Sequence, residues 1–270
     1  MVLLGAAVWV TGGSRGIGAA IARAFVAEGA RVAISSRDET SLVSAARDMG
    51  ANVFPAACDV GDPHSVAHAA AKIRMEMGPI DVLVANAARL TAMGPTWEVE
   101  PAAWLADLRT NLEGSYFCCR EVLPWMVKRQ HGCVILLSSG AGVMGPFPFG
   151  SAYGLSKLGM AALAESLAHE LSGTGVTVFA VNPGTVRTAM TEAIALSEAG
   201  RRYLPHTEKA LREGQVLPPE RAAELCVSLA RGDLDALTGR FLSAGEPLES
   251  LKLRQESIVK SNLNVVRLRQ

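Results

Sequence analysis

Tyr153 and Lys157 stand four residues apart in a stretch with a helical pattern, so their side chains share one face of the predicted helix. A free phenol has a pKa of about 10, which is too high for efficient acid–base work at neutral pH. A cation about 4 Å away, at an effective dielectric constant of about 20, contributes roughly 4 kcal/mol, or about three pKa units. Desolvation of the phenolate opposes part of this effect. The pair therefore predicts a tyrosine that transfers a proton near neutral pH.

Other polar residues follow predicted strands. Ser138 and Ser139 come directly after the fifth predicted strand, Asn86 follows the fourth, and Asn182 follows the sixth. Ligands of open parallel sheets bind at the carboxyl ends of the strands, so these side chains are expected at one edge of the sheet. A serine hydroxyl placed there can donate a hydrogen bond to a substrate carbonyl, and both serines are candidates for that role.

A glycine-rich turn, residues 11–18, joins the first predicted strand to the first predicted helix. Glycine lets the strand turn sharply and lets the backbone approach a pyrophosphate, because it lacks a Cβ atom. The helix N-terminus then faces the negative charge of the phosphates. In this strand–turn–helix context, the glycines predict a dinucleotide-binding site.

The end of the second predicted strand indicates which dinucleotide is bound. An Asp or Glu near this position holds the ribose 2′-hydroxyl of NAD, whereas this chain has Ser36 and Arg37. An arginine recognises a 2′-phosphate through paired hydrogen bonds, and Arg15 in the glycine-rich turn is within reach of the same phosphate. Asp38 is expected to begin the following helix. We therefore predict NADP(H) over NAD(H).

The elements that position these residues alternate along the chain. Strands are predicted at residues 6–10, 31–35, 52–56, 82–85, 133–137, 176–181 and 241–243, and helices at 17–28, 39–49, 63–77, 101–128, 153–171 and 219–230. The apolar runs lack alternation, which is typical of strands covered on both faces. The pattern predicts an α/β fold with a doubly wound parallel sheet (Rossmann fold), about seven strands and helices on both faces.

A single domain is predicted over residues 1–270, which is an ordinary size for this architecture. Pro124 is expected to kink or end the fourth helix. Residues 184–218 are predicted to be irregular and to form a substrate lid. Residues 249–270 form a C-terminal extension, and its Leu263, Val265, Val266 and Leu268 are expected to pack on the body or on a neighbouring subunit.

The composition excludes several classes of function. The formal net charge is zero, which provides no basic field for nucleic acid. No apolar run reaches the roughly 18 residues needed to span a bilayer. The five cysteines are an odd number without Cys-x-x-Cys spacing, which indicates reduced thiols and a cytoplasmic location. His64 and His68 share a helix face but have no evident third ligand, so no metal site is predicted.

Taken together, these residues resemble the classical short-chain dehydrogenase/reductase family, and in particular its 3-oxoacyl-carrier-protein-reductase-like members. The resemblance covers about residues 5 to 245. The motifs that carry it are Thr11-Gly12-x-x-x-Gly16-x-Gly18, Asp59, Asn86-Ala87, Asn111, Ser139, Tyr153-x-x-x-Lys157, and Asn182-Pro183-Gly184 with Thr188.

The resemblance implies a role for each matching residue. Tyr153 would be the general acid in reduction, Lys157 would hold the nicotinamide ribose, Ser139 would polarise the carbonyl, and Asn111 would anchor a proton-relaying water. Asp59 would contact the adenine and Thr188 the nicotinamide carboxamide. The residues implied to bind the cofactor are Thr11, Gly12, Ser14, Arg15, Gly16, Ile17, Gly18, Ser36, Arg37, Asp59, Val60, Asn86, Ala87, Ala88, Tyr153, Lys157, Pro183, Gly184, Val186 and Thr188.

Two positions depart from the family pattern. Ala88 stands where the family usually has glycine, and Ser139 lies one residue farther from Tyr153 than in many relatives. We expect the loop before the tyrosine to absorb the extra residue, and Ser138 stays a rival for the carbonyl role.

The expected function is hydride transfer between NADP(H) and a ketone or secondary alcohol, as a carbonyl reductase acting on an apolar or acyl-chain substrate. Two alternatives remain open: a polyol or sugar dehydrogenase of the same fold, and a non-catalytic dinucleotide-sensing protein. Apolar residues around much of the fourth and fifth predicted helices, together with the family resemblance, lead us to expect a homodimer or homotetramer.

Overall fold

The strands of the protein are runs rich in Val, Ile, Leu and Ala, and most of their side chains are buried. The computed structural model describes residues 1–266. Within them the strands are β1 (Ala7–Thr11), β2 (Arg31–Ser35), β3 (Val53–Pro55), β4 (Val82–Ala85), β5 (Gly132–Leu137), β6 (Val176–Asn182) and β7 (Phe241–Ser243). All six neighbouring pairs are parallel, in the order β3-β2-β1-β4-β5-β6-β7.

Helices cover both faces of this sheet. They are α1 (Gly16–Ala27), α2 (Glu39–Met49), α3 (Pro63–Met77), α4 (Pro101–Leu108), α5 (Gly114–Arg129), α6 (Ser151–Glu170), α7 (Ala189–Leu196), α8 (Glu198–Tyr203), α9 (Pro205–Arg212), α10 (Pro219–Arg231) and α11 (Leu248–Lys260). One core packs α1, α2, α10 and α11 on the first face, and a second core packs α3, α5 and α6 on the other. The predicted doubly wound fold is confirmed.

The strand order reverses between β1 and β4, because β2 lies on one side of β1 and β4 on the other. The helices that follow β1 and β4 therefore pack on opposite faces and leave a crevice at the carboxyl ends of these two strands. Such a reversal is where open α/β sheets bind their ligands. The glycine-rich turn and Asn86 both lie at this point.

The sequence prediction was wrong for residues 184–218, and the structure adds a detail to the helix predicted at 101–128. Residues 184–218 are not irregular, since α7, α8 and α9 occupy most of them. The predicted helix 101–128 contains a π-helical turn at Arg109–Glu113, and Pro124 neither ends it nor prevents its continuation to Arg129. Proline removes only one backbone donor, and a helix packed against the sheet tolerates that loss.

The C-terminal extension begins with α11 and then returns to the edge strand β7. The N–H of Phe241 donates to the carbonyl of Asn264 at 2.8 Å, and Val266 packs against the second core. Packing of the extension on the body is therefore confirmed for Val266, whereas Leu268 lies outside the described residues. Leu263 is exposed.

Across residues 1–266, no helix is both long enough and apolar enough to cross a membrane. The cytoplasmic location stays a prediction from the sequence.

Candidate active site

The glycine-rich turn is packed so closely that side chains could not replace its hydrogens. A Cβ atom on Gly18 would lie 2.4 Å from the carbonyl oxygen of Gly12, and one on Gly12 would lie 2.9 Å from the Asn86 amide nitrogen. Gly12 and Gly16 also have positive φ angles of 63° and 57°. These positions need glycine, as the sequence predicted. The turn therefore exposes its backbone to the crevice at the sheet edge.

Thr11 and Asn86 join the ends of the two strands that border the crevice. The Thr11 hydroxyl accepts hydrogen bonds from the N–H groups of Asn86 and Ala87, both at 3.0 Å. The Asn86 amide donates in return to the carbonyls of Thr11 at 2.9 Å and Gly12 at 3.2 Å. Thr11 is buried and acts from beneath the turn, so it supports the cofactor site without lining it.

A cavity of about 650 Å³ lies at this edge of the sheet. Most of the predicted cofactor residues line it: Gly12, Ser14, Arg15, Gly16, Ile17, Gly18, Ser36, Arg37, Asp59, Val60, Asn86, Ala87, Ala88, Tyr153, Lys157, Pro183 and Thr188. Thr11, Gly184 and Val186 do not. The sequence missed Ser35, Asp38, Ser41, Cys58, Thr110, Leu137, Ser138, Ala189 and Met190 as lining residues. Several of these residues are sequence neighbours of predicted ones, and that adjacency is the signal that could have indicated them.

The N-terminus of α1 opens into this cavity. Its first-turn residues Gly16, Ile17 and Gly18 line the wall, and the residue before the helix, Arg15, makes no side-chain capping hydrogen bond. Helix N-terminal N–H groups that lack a cap attract anions. The shape of the cavity, the glycines and this helix end fit a dinucleotide, with its pyrophosphate at α1.

Charged groups gather where β2 ends. Arg15, Arg37 and Asp38 line the cavity together with Ser36 and Ser41. Asp38 caps α2 by accepting from the N–H of Thr40 at 3.1 Å, as the sequence predicted. Hydrogen bonds from Ser41 hold the pKa of Asp38 below its ordinary value, so this carboxyl is ionised beside two arginines.

Ser139 lies beside Tyr153, which lines the cavity, whereas Ser139 itself is not among the lining residues. The Ser139 side chain acts to lower the pKa of Tyr153, and its hydroxyl accepts from the N–H of Ala141 at 3.2 Å. The neighbouring Ser138 hydroxyl instead donates to the backbone carbonyl of Lys157 at 2.7 Å and is buried. Ser138 lines the cavity but its hydroxyl is already bonded, whereas Ser139 acts on Tyr153 without lining the cavity, so both serines stay candidates for the carbonyl role.

Lys157 is almost fully buried beside the tyrosine. Its Nζ atom donates to the carbonyl of Leu137 at 2.6 Å and lies 5.5 Å from the centre of the Tyr153 ring. Burial lowers the pKa of Lys157 to about 7. Burial also raises the pKa of Tyr153, and the Ser139 side chain opposes that change. The sequence-based expectation of a lowered tyrosine pKa is not met in this arrangement, because burial disfavours the charged phenolate.

Asn111 lies within the π-helical turn between α4 and α5. Its side chain is fully buried, accepts from the N–H of Arg89 at 2.8 Å, and donates to the Arg89 carbonyl at 2.9 Å and to Ser156 at 3.1 Å. The Ser115 hydroxyl donates to the Asn111 carbonyl at 2.7 Å. π-Helical turns are frequent at functional sites, and this one carries a predicted catalytic residue.

Apolar side chains surround the substrate side of Tyr153. Leu90, Ile194 and Leu204 form a buried cluster, which we call the lid cluster, and Tyr153 and Phe147 pack against it. The remaining partly buried members are Met93 and Met190. The lid cluster joins the loop after β4 to the α7–α9 segment. An uncharged, apolar part of a substrate fits such walls.

The loop 140–150 contains the extra residue between Ser139 and Tyr153. Phe149 has a φ angle of 63°, which is rare for a bulky side chain, and its carbonyl accepts from the Gly94 N–H at 2.8 Å. Its ring lies 5.1 Å from that of Tyr203 in α8. Despite the longer loop, Ser139 still reaches Tyr153, as predicted.

Comparison with known proteins identifies the family. The short chain dehydrogenase family model matches residues 6–199. The chain belongs to the short-chain dehydrogenase family. Short-chain dehydrogenase mpl6 of Monascus purpureus is 34% identical over 273 residues, which cover 98% of this chain and 89% of that protein. As a member of this family, the protein is an oxidoreductase that acts on a carbonyl or alcohol group with a nicotinamide dinucleotide.

Other relatives differ in substrate and cofactor. The 3-oxoacyl-[acyl-carrier-protein] reductase FabG of Escherichia coli K12 is 35% identical over 69% of this chain and 75% of its own length. The 2-dehydro-3-deoxy-L-rhamnonate dehydrogenase (NAD(+)) of a Sphingomonas species is 31% identical over 86% of this chain and 93% of its own length. A crystal structure of an actinorhodin polyketide ketoreductase variant with NADPH has a TM-score of 0.79 and 30% identity, over 88% of this chain and 95% of the other.

Proposed function

We propose that this short-chain dehydrogenase is an NADP(H)-dependent reductase of apolar ketones. The observation that carries the cofactor preference is that Arg15 of the glycine-rich turn and Arg37 after β2 both line the cavity with Ser36, while the carboxyl of Asp38 is engaged as the N-cap of α2. Arginine pairs with phosphate bidentately, and a 2′-phosphate would reach this end of the cavity. The structural neighbour with NADPH supports this assignment, whereas the relative named as NAD(+)-dependent makes it a point for experiment.

In the proposed reaction, the bound nicotinamide supplies the hydride and the protein supplies the proton. Burial raises the pKa of Tyr153, so its phenol stays protonated at neutral pH and can act as the acid that protonates the carbonyl oxygen. Ser139 donates a hydrogen bond to the same oxygen and polarises it. Lys157, with a pKa of about 7, can exchange a proton near neutral pH and holds the nicotinamide ribose. The role implied for Asn111, anchoring a water that relays protons to Lys157, stays part of the proposal, and its side chain is bonded to Arg89 and Ser156.

The substrate is proposed to be an uncharged ketone with an apolar body. The lid cluster and Phe147 provide apolar and aromatic walls next to Tyr153. Two arginines near these walls already have partners: Arg89 is paired with Asp107, and Arg187 donates to the Leu211 carbonyl at 2.7 Å. A substrate with a carboxylate would find neither of these cations free.

NADPH oxidation, followed by absorbance, tests the proposal with a panel of neutral ketones, sugars and polyols. We expect reduction of apolar ketones, with weaker activity with NADH than with NADPH. Turnover limited to sugars or polyols would favour the dehydrogenase alternative. Tight NADPH binding without any turnover, in the presence of the intact Ser139, Tyr153 and Lys157, would favour a dinucleotide-sensing protein and overturn the proposal.

We also propose a homodimer or homotetramer. Leu105 in α4, Tyr116 and Trp125 in α5, and Leu155 in α6 are exposed, and together they supply apolar surface on neighbouring helices. Light scattering on the purified protein measures the assembly directly. A monomeric mass at assay concentration would overturn this proposal.

A further inference from the structure

A buried carboxylate outside the proposed catalytic set organises the loop that follows β4. Asp107, in the last turn of α4, is fully buried. Its Oδ2 atom accepts from the N–H groups of Thr91 at 2.8 Å and Ala92 at 2.9 Å. Its Oδ1 atom accepts from the Thr91 hydroxyl at 2.8 Å and lies 2.8 Å from the Nε atom of Arg89. A buried carboxylate is tolerated only when it is paired and hydrogen-bonded, and these four contacts meet that need.

The contacts of Asp107 act on one side of Leu90, and those of Asn111 act on the other. Asn111 binds both backbone groups of Arg89, and Asp107 binds the N–H groups of Thr91 and Ala92. Asn111 therefore holds the backbone before Leu90, and Asp107 holds the backbone after it. These two side chains lie one helical turn apart. The Thr91 hydroxyl also accepts from Arg89 at 2.8 Å, which ties the two sides together.

Leu90 carries this constraint to the substrate side of the site. It is buried in the lid cluster with Ile194 of α7 and Leu204, and Tyr153 packs against the same cluster. The position of Leu90 therefore sets where the lid segment rests relative to the tyrosine. Close-packed apolar contacts transmit a displacement of this kind, because they leave little free space.

We propose that Asp107 is a positioning residue, which fixes the lid segment and the apolar wall beside Tyr153 through Thr91, Ala92 and Leu90. This inference rests on the proposed ketone reduction only for its expected effect on the KM of a ketone. Its structural consequence, the hold on residues 189–212, is independent of whether the protein turns a ketone over.

The test compares Asp107→Asn with a matched control, Asp81→Asn. Asp81 accepts from the Ala7 N–H at 2.8 Å and is paired with Arg129, but it precedes β4 and so lies at the opposite edge of the sheet. The Asn oxygen can replace only one of the two carboxylate oxygens, so the NH2 group must face another donor, either a backbone N–H or the arginine, in both places. Both variants are therefore expected to lose thermal stability. Only Asp107→Asn is expected to raise the KM for a ketone, by about tenfold, with kcat and the Kd of NADPH changed by less than about threefold.

Hydrogen exchange of the α7–α9 peptides provides the second readout. We expect faster exchange in Asp107→Asn and unchanged exchange in Asp81→Asn. Leu90→Ala is a milder variant that leaves the carboxylate network intact, and we expect it to reproduce both effects. The double variant should be no worse than the more affected single variant, because both substitutions act on one contact chain.

The outcomes separate this inference from the proposed function. Absence of ketone reduction by the unsubstituted protein would overturn the proposed function, and the exchange data would still decide the role of Asp107. If the α7–α9 peptides of Asp107→Asn exchange as in Asp81→Asn, or if the effects of Asp107→Asn and Leu90→Ala on KM multiply, the positioning role is wrong.

Discussion

Replacement of Arg37 tests whether the end of β2 selects the phosphorylated cofactor. Arg37 lines the cavity but is exposed to solvent, so water screens its charge. Two unit charges about 4 Å apart interact by roughly 1 kcal/mol in water and roughly 4 kcal/mol at a protein surface with an effective dielectric constant of about 20. A hydrogen bond to a charged group contributes about 1.5–3 kcal/mol. Because of the exposure, we take the lower part of this range, about 1.5–2 kcal/mol, or about a 10- to 30-fold increase in the Kd of NADPH.

Cofactor titration of the Arg37→Ala variant, with NADPH and NADH in parallel, measures this change. The Kd of NADH should change by less than about twofold, because NADH has no 2′-phosphate. The loss of NADPH affinity should also shrink as salt is added. Arg47→Ala is the control, since Arg47 is exposed in the last turn of α2 and does not line the cavity. An equal loss of affinity for both cofactors, or no loss for NADPH, would refute the assignment of Arg37 to the phosphate.

Three further predictions concern the chemistry and its support. Tyr153→Phe should lower kcat by about 10²- to 10⁴-fold in a steady-state assay, with an unchanged Kd for NADPH. Burial lowers the pKa of Lys157 in the folded protein to about 7, below its ordinary value of about 10.5, so unfolding takes up a proton between these two pH values. In pH-dependent denaturation, the stability of the protein relative to Lys157→Met should therefore rise with pH across that window, by at most about 1.4 kcal/mol per pH unit. Gly142→Ala should lower the Tm and kcat more than Gly173→Ala. The two glycines have similar φ angles, 79° and 78°. However, a Cβ on Gly142 would lie 2.2 Å from the Gly154 carbonyl, whereas nothing lies within 4 Å of one on Gly173. Equal loss of Tm and kcat in the two alanine variants would contradict that reasoning.

The sequence predicted the elements whose signals are local. The seven strands are apolar runs bounded by turns, and their observed bounds differ from the predicted ones by at most a residue or two. The helix α3 was predicted over its full length, because Asp62 and Pro63 mark its first turn. The glycine-rich turn was predicted because glycine is the residue type that a close approach of the backbone requires.

The lid helices were missed because they are too short to display a periodic apolar face. The residues Thr188, Ser197 and Pro205 do mark the N-termini of α7, α8 and α9. Each helix then spans only six to eight residues, and a pattern with a period of 3.6 residues needs a longer window. Ile194 of α7 and Leu204, which follows α8, are buried against Leu90, and a single segment does not contain that information.

The role of Asp107 was missed for a related reason. An aspartate in the last turn of a helix usually faces water, and helix periodicity gives no sign that this one is buried. Its partners are mainly backbone N–H groups of a loop. Because every sequence has such groups, they give no sign of which side chain will bind them. The binding of Nζ of Lys157 to the Leu137 carbonyl was equally invisible, because it depends on the distance between β5 and α6.

The spacing between Ser139 and Tyr153 illustrates how a loop can preserve geometry when its length changes. Gly142 packs against the backbone of Gly154, so the loop and the start of α6 approach as closely as two chains can. Beyond this contact the chain turns through the left-handed conformation of Phe149, whose carbonyl is held by the Gly94 N–H. The conformational cost of that residue is offset because its ring packs on Tyr203 of α8 and its carbonyl accepts from the Gly94 N–H. The close contact at Gly142 and the left-handed turn at Phe149 are therefore the two features of this loop that accompany the longer spacing between Ser139 and Tyr153.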